Sequence, residues 1–144
     1  MNWKEELVLQ LRDLTIDKNV IIKAMQNFVD EFNSNLDKYK IKNIRATTDS
    51  NEYIDIKFYK KIEIKYSDKN VIFSLFNKDR LKQNISIKLS IAEKVGGYFI
   101  QYINTEERTP KLRAFIDEKT IDGIFQDLFE LNEEVQSINE EIID

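Results

Sequence analysis

Neither cysteine nor histidine occurs among the 144 residues of this chain. Their absence removes disulfide scaffolding, thiol nucleophiles, imidazole acid–base pairs and every zinc site that needs sulfur or imidazole. The catalytic chemistry left over is carboxylate work, with Mg²⁺ as its natural cation, or a Lys or Tyr acting as base. Proline occurs once and glycine three times, too few for a linker-rich or disordered chain, so most residues belong in regular elements. No apolar run approaches the ~18 residues of a membrane span. The opening MNWKEELVLQL carries glutamates where a secretory signal carries positive charge followed by an apolar stretch. The expectation is a cytoplasmic protein with no membrane association.

What is present is a large apolar fraction, 42%, with nine Phe and six Tyr, beside 33% charged residues. A chain of this size closes one sizeable core and is too short for two, so residues 1–144 are read as a single domain. The net charge of −4 conceals an asymmetry. Residues 53–94 hold ten Lys/Arg against five Asp/Glu, whereas residues 115–144 hold one Lys against ten acidic residues. The molecule is expected to be electrically two-faced.

Residues 1–39 read as helical. Trp3, Leu7, Leu11 and Leu14 recur at three and four residues, and beyond the polar stretch Thr15–Asn19 a second stripe runs through Ile21, Met25, Phe28, Phe32, Leu36 and Tyr39. Asp17 can cap the second stripe, and the stretch before it leaves open one bent helix or two. The apolar residues of both stripes, Trp3 included, are expected to pack on a sheet.

The period changes to two at Tyr53. Ile54, Ile56 and Phe58 alternate with Tyr53, Asp55, Lys57 and Tyr59, and Ile62, Ile64 and Tyr66 alternate with Lys61, Glu63 and Lys65. Val71–Phe76 reads as a central strand, Ile85–Ile91 alternates again, and Gly96-Gly97 is a turn before Tyr98–Ile103. Residues 111–116 fit a sixth strand or a helix start, with the strand favoured. Short links between successive strands imply an antiparallel meander. The fold class is therefore α+β: a five- or six-stranded antiparallel meander over residues 53–116, with an N-terminal helical region and a long C-terminal amphipathic helix packed on one face.

That last helix spans residues 117–143. Ile121, Ile124, Leu128, Leu131, Val135, Ile138 and Ile142 step by three and four, Asp117 or Thr120 can cap its start, and its polar flank is acidic. A helix of this length outruns a sheet whose strands span about 20 Å, so part of its stripe needs another helix or a partner. Gly123 within it marks either a close approach or a tolerated imperfection.

Three functional readings compete. Glu130, Glu133, Glu134, Val135, Ile138 and Ile142 combine an apolar stripe with an acidic flank suited to a protein partner, itself basic or nucleic-acid-binding, or to a second copy of the chain. Tyr53, Lys57, Tyr59, Lys60, Lys61, Lys65 and Lys88 interleave cations with rings, as phosphate contact and base stacking require, although surface lysines on a solvated sheet face give the same pattern. Asp55, Glu63 and Lys65 have the residue types of Mg²⁺-dependent phosphodiester cleavage, but E-x-K carries little information in so lysine-rich a stretch. The leading expectation is a non-catalytic protein-binding module, such as an inhibitor, immunity or accessory factor that occupies a partner's surface. Nucleic-acid binding through the Lys/Tyr face is the alternative, with nuclease activity its distant variant. No catalytic residue, metal or cofactor is assigned.

Overall fold

The computed structural model describes residues 2–77, 83–103 and 109–143, and the side chains of all these except residues 83, 84 and 132–143. The chain runs α1 (Trp3–Gln10), α2 (Lys18–Lys38), β1 (Ala46–Thr48), β2 (Tyr53–Ile56), β3 (Lys60–Tyr66), β4 (Asn70–Asn77), β5 (Gln83–Ala92), a single 3₁₀ turn (Glu93–Val95), β6 (Gly97–Ile103), β7 (Lys111–Arg113) and α3 (Glu118–Ile143). All seven strands form one antiparallel sheet in the order β1 to β7. The meander therefore has seven members rather than five or six. The additional edge strand, β1, is three residues long, too short to show an alternation. It is held to α2 by Asn33, whose Nδ2 donates to Ala46 O and whose Oδ1 accepts from Ala46 N. At the other edge, residues 111–116 are strand only as far as Arg113.

The alternation seen in the sequence decides which face is buried. Ile54, Ile62, Ile64, Phe73, Leu75, Ile85, Ile87 and Leu89 point to one side and are buried against Ile21, Ala24 and Met25 of α2 and Ile121, Ile124, Phe125, Leu128 and Leu131 of α3. Aromatic rings join the layers. Phe28 of α2 stacks on Phe129 at 5.9 Å and meets Phe125 edge-on at 5.7 Å, and Phe125 in turn meets Phe73 of the sheet edge-on at 6.0 Å. Burying an Ile, Leu or Phe in this layer is worth roughly 1.5 to 3 kcal/mol each.

The break between the two N-terminal stripes is real. Asp17 caps α2 by accepting from Asn19 N at 2.9 Å, while α1 is separate and short, with no buried residue. Helix α2 ends with Lys40 in the left-handed region at φ 60°. Ile41 N donates to Leu36 O and Lys40 N to Asp37 O, which satisfies the last carbonyls of the helix in the paired pattern usually centred on glycine. Helix α3 starts on a reciprocal cap: Thr120 N donates to Asp117 Oδ1 at 2.8 Å, and Asp117 N donates to Thr120 Oγ1 at 3.3 Å. Both candidates for capping it thus act together. The Asp117 carboxyl lies below its ordinary value chiefly because of the Thr120 backbone hydrogen bond.

Candidate functional site

Helix α1 is capped at its N-terminus and tethered just past its C-terminus. Asn2 Oδ1 accepts from Glu5 N at 2.8 Å, and Glu5 and Glu6 lie in the first turn, at the positive end of the dipole. Past its C-terminus, Arg12 reaches across the fold and donates from one nitrogen to Gly96 O at 2.5 Å and Ala114 O at 2.8 Å, with its guanidinium 4.8 Å from the Phe115 ring. Gly96, at φ +67°, makes room for the helix: a Cβ there would lie 2.6 Å from Leu9 O and 2.7 Å from Gln10 Cα. Tyr98 Oη donates to Thr15 O at 2.7 Å and fixes the segment leading into α2.

These anchors are mostly polar and act on the inward side of α1. Of its own residues only Leu9 is half-buried, and the others are exposed. Trp3 is 69% exposed and Leu11 79%, with Leu7 and Val8 exposed between them. Val95 and Leu112, also exposed, border α1 on the flank of Glu6 and Gln10, and exposed Phe115 lies on the flank of Val8, where a cleft of about 370 Å³ opens. The expectation that Trp3, Leu7 and Leu11 enter the core is overturned. Only Leu14 and Ile16, beyond the helix, pack against it. Spacing at three and four residues shows that a helix has an apolar side; it does not show which way the helix is turned.

The Lys/Tyr set divides. Tyr53, Lys61, Lys65 and Lys88 lie on the sheet face opposite α2 and α3, in register across the strands: Tyr53 faces Glu63, and Lys65 faces Ile72, which faces Lys88. Lys60, by contrast, falls in phase with Ile62 and Ile64 and is 3% exposed, because residues 57–59 form the turn and Lys60 already opens β3 instead of lying in a link. Lys57 and Tyr59 are exposed in that turn with Phe58, which sits at φ 65° and is 73% exposed rather than inward beside Ile56. Tyr59 N donates to Ile56 O at 3.0 Å, so Phe58 occupies the turn position that normally takes glycine. No Gly, Asn or Asp marks this turn in the sequence, which is why the strand pattern reads straight through it.

Asp55, Glu63 and Lys65 share the outer face, but Lys61 stands among them. It faces Asp55 across the ladder and pairs with Glu63 at 3.4 Å. Among the described residues no three metal-ligating side chains converge. A cleft of about 640 Å³ lies beside this region and includes Lys18, Glu52, Lys65 and Tyr66 in its lining. Burial, reinforced by the Asp49 and Glu52 carboxylates, pushes the Tyr66 hydroxyl up to about 12. It stays protonated and donates to Asn51 O at 2.6 Å. Burial also acts to raise the Asp49 carboxyl, yet hydrogen bonds from the backbone N–H groups of Glu52, Tyr53 and Asn51 outweigh it and hold that group low. The loop over the cleft is thereby stiffened.

Of the proposed acidic–apolar site on α3, Glu130 is exposed and accepts from Gln126 Nε2 at 2.7 Å, one turn from buried Leu131. The side chains of Glu133, Glu134, Val135, Ile138 and Ile142 lie outside the described residues. Among the described residues no helix is long and apolar enough to cross a membrane. No protein-family model, curated protein or solved structure matches the chain.

Proposed function

We propose that the chain is a non-catalytic protein-binding module, of the kind that serves as an inhibitor, immunity or accessory factor, and that it docks through α1. One observation carries this reading. A helix held to the domain through Arg12, just past its end, and through its close seat on Gly96 leaves Trp3, Leu7 and Val8 exposed to water. Val95 and Leu112 on one flank and Phe115 on the other add exposed apolar side chains beside it.

The surrounding charges are of both signs, among them Lys4, Glu5, Glu6 and Arg113, so selection by net charge is weak at this end. The occupant is a protein that presents one or two large apolar anchors to the cleft between Val8 and Phe115, the geometry in which a few side chains carry most of the binding energy. The residue inventory supports the non-catalytic part, since the chain has neither a thiol nor an imidazole to act as nucleophile or base.

The test uses the sole tryptophan. A partner captured from the native cell and then purified should shift Trp3 emission to the blue on titration and should be lost by Leu7→Asp with Leu11→Asp, a variant expected to keep its thermal midpoint. Undiminished binding by that variant overturns the proposal. So does self-association abolished by the same substitutions in light scattering, which would assign the surface to a second copy.

A further inference from the structure

A second surface lies at the opposite end of the strands from α1. The link from α2 to β1, Lys38–Arg45, and the β2–β3 turn region, Lys57–Lys61, are distant in sequence but meet in the fold: Lys57 N donates to Arg45 O at 3.1 Å, beside the Ala46–Ile56 pair of the ladder. Together they contain seven Lys/Arg and no acidic residue. Among the described residues three carboxylates stand close by, with Asp37 bonded to Arg45, Glu63 to Lys61, and Asp55 facing Lys61. Lys60 is buried, and the other six cations against three carboxylates among the described residues leave the apex positive on a molecule that is negative overall. Among the described residues, Lys40, Lys42 and Lys57 have no carboxylate at ion-pair distance.

Rings are set among these charges. Tyr39 is exposed beside Lys38, with 5.4 Å from Nζ to the ring centroid, and Phe58 is exposed beside Lys57 at 5.0 Å. Tyr53, on the adjoining sheet face, has Lys61 at 5.0 Å. Of the three non-glycine residues at positive φ among the described residues, Lys40 and Phe58 lie in this apex. An aromatic residue held in the left-handed region at a fully accessible turn costs stability there, and nothing in the packing requires its ring.

We infer that this apex binds single-stranded nucleic acid, with phosphates on Lys40, Lys42 and Lys57 and unstacked bases on Tyr39 and Phe58. Cations alternating with rings match a polymer that alternates phosphate with base. Duplex is the poorer fit, because rings on a protruding turn reach base faces only where the bases are already unstacked. An anionic membrane is also a poorer fit: each ring has an ammonium within about 5 Å, so it cannot enter the hydrocarbon without carrying charge with it. The site is independent of the α1 surface.

The experiment is fluorescence anisotropy of the full chain with a labelled single-stranded 20-mer, a duplex of the same sequence, and vesicles of mixed neutral and anionic lipid. The expected result is preference for the single strand, with about 20-fold weakening between 50 and 200 mM salt if about three phosphates are contacted. Phe58→Gly is the decisive variant. Glycine suits the backbone at φ 65°, so the protein stays folded while the ring is lost, and affinity should fall at least about fivefold. Lys40→Glu with Lys42→Glu should flatten the salt dependence, and Leu11→Asp should leave binding unchanged. Absence of binding at tens of micromolar protein and 50 mM salt overturns the inference. It is equally overturned if duplex binds as well as single strand and Phe58→Gly has no effect, or if vesicles bind and the oligonucleotide does not compete.

Discussion

Helices α1 and α2 both carry apolar residues at three- and four-residue spacing, yet one contributes Ile21, Ala24, Met25 and Leu36 to buried positions and the other contributes none. The difference lies in what each helix meets. Helix α2 is 21 residues long and lies along the sheet, where its stripe finds Ile54, Ile62 and Ile64. Helix α1 has eight residues and sits at the end of the strands, where the backbone at Gly96 lies close to Leu9 and Gln10 and no sheet face is there to cover its apolar residues. Periodicity specifies that an apolar side exists, and the neighbour determines whether it becomes core or interface.

Substitutions can break this comparison. The largest effect is expected at Met25, fully buried in α2, where Met25→Ala should cost about 2 to 5 kcal/mol in chemical denaturation. Leu7→Asp in α1 should change stability by no more than about 0.5 kcal/mol. A loss at Leu7 as large as that at Met25 would show α1 to be part of the core after all.

Next in size is Gly96→Ala. A methyl at φ +67° within 2.8 Å of the α1 backbone should dislodge that helix and lower stability by about 1 to 3 kcal/mol. Faster rotational depolarisation of Trp3, with the sheet signal retained in circular dichroism, would separate displacement of α1 from global unfolding. Unchanged Trp3 mobility would mean that α1 does not depend on its seat at Gly96.

A smaller effect is expected where α2 begins. Lys18 lies 4.6 Å from the Tyr66 ring, and Tyr66→Phe removes the hydrogen bond to Asn51 O at a cost of about 1 kcal/mol. The hydroxyl is raised from its ordinary value of 10.0 to about 12, so the folded state holds this proton more tightly than the unfolded state. Its contribution is complete below pH 10 and is lost as pH rises towards 12. Stability measured across that window should fall in the native chain and fall less steeply in Tyr66→Phe; parallel curves would remove Tyr66 as the cause.

The smallest effect has the opposite sign. A Cβ added at Gly123 would meet nothing within 4 Å, which excludes close approach as its reason for being glycine. Gly123→Ala should stabilise α3 by up to about 1 kcal/mol, read as a rise in thermal midpoint.

The candidate sites were legible in the sequence to different degrees. Alternation at Ile54, Ile62 and Ile64 placed Tyr53, Lys61 and Lys65 on the outer face, since a strand offers only two sides and the apolar one must be buried. It misplaced Phe58, because a turn that uses Phe where glycine is usual leaves no compositional mark. The α1 surface was visible as an apolar stripe and assigned to the wrong environment. Gly96-Gly97 was identified as a turn, but its second role depends on Leu9 and Gln10, which lie far earlier in the chain.

By itself the sequence determined the class of the fold, the antiparallel pairing of successive strands, the two long helices and their caps, and the chemistry excluded by the lack of Cys and His. Those properties follow from local periodicity, short links and residue type, all of which act within a few neighbours along the chain. Only the tertiary structure decided which way α1 is turned, that β1 completes an edge by pairing with β2 and bonding to Asn33, and that Lys38–Arg45 meets Lys57–Lys61 in one basic apex. Each of these depends on contacts between distant segments, and a helix or strand pattern is the same whichever neighbour it eventually meets.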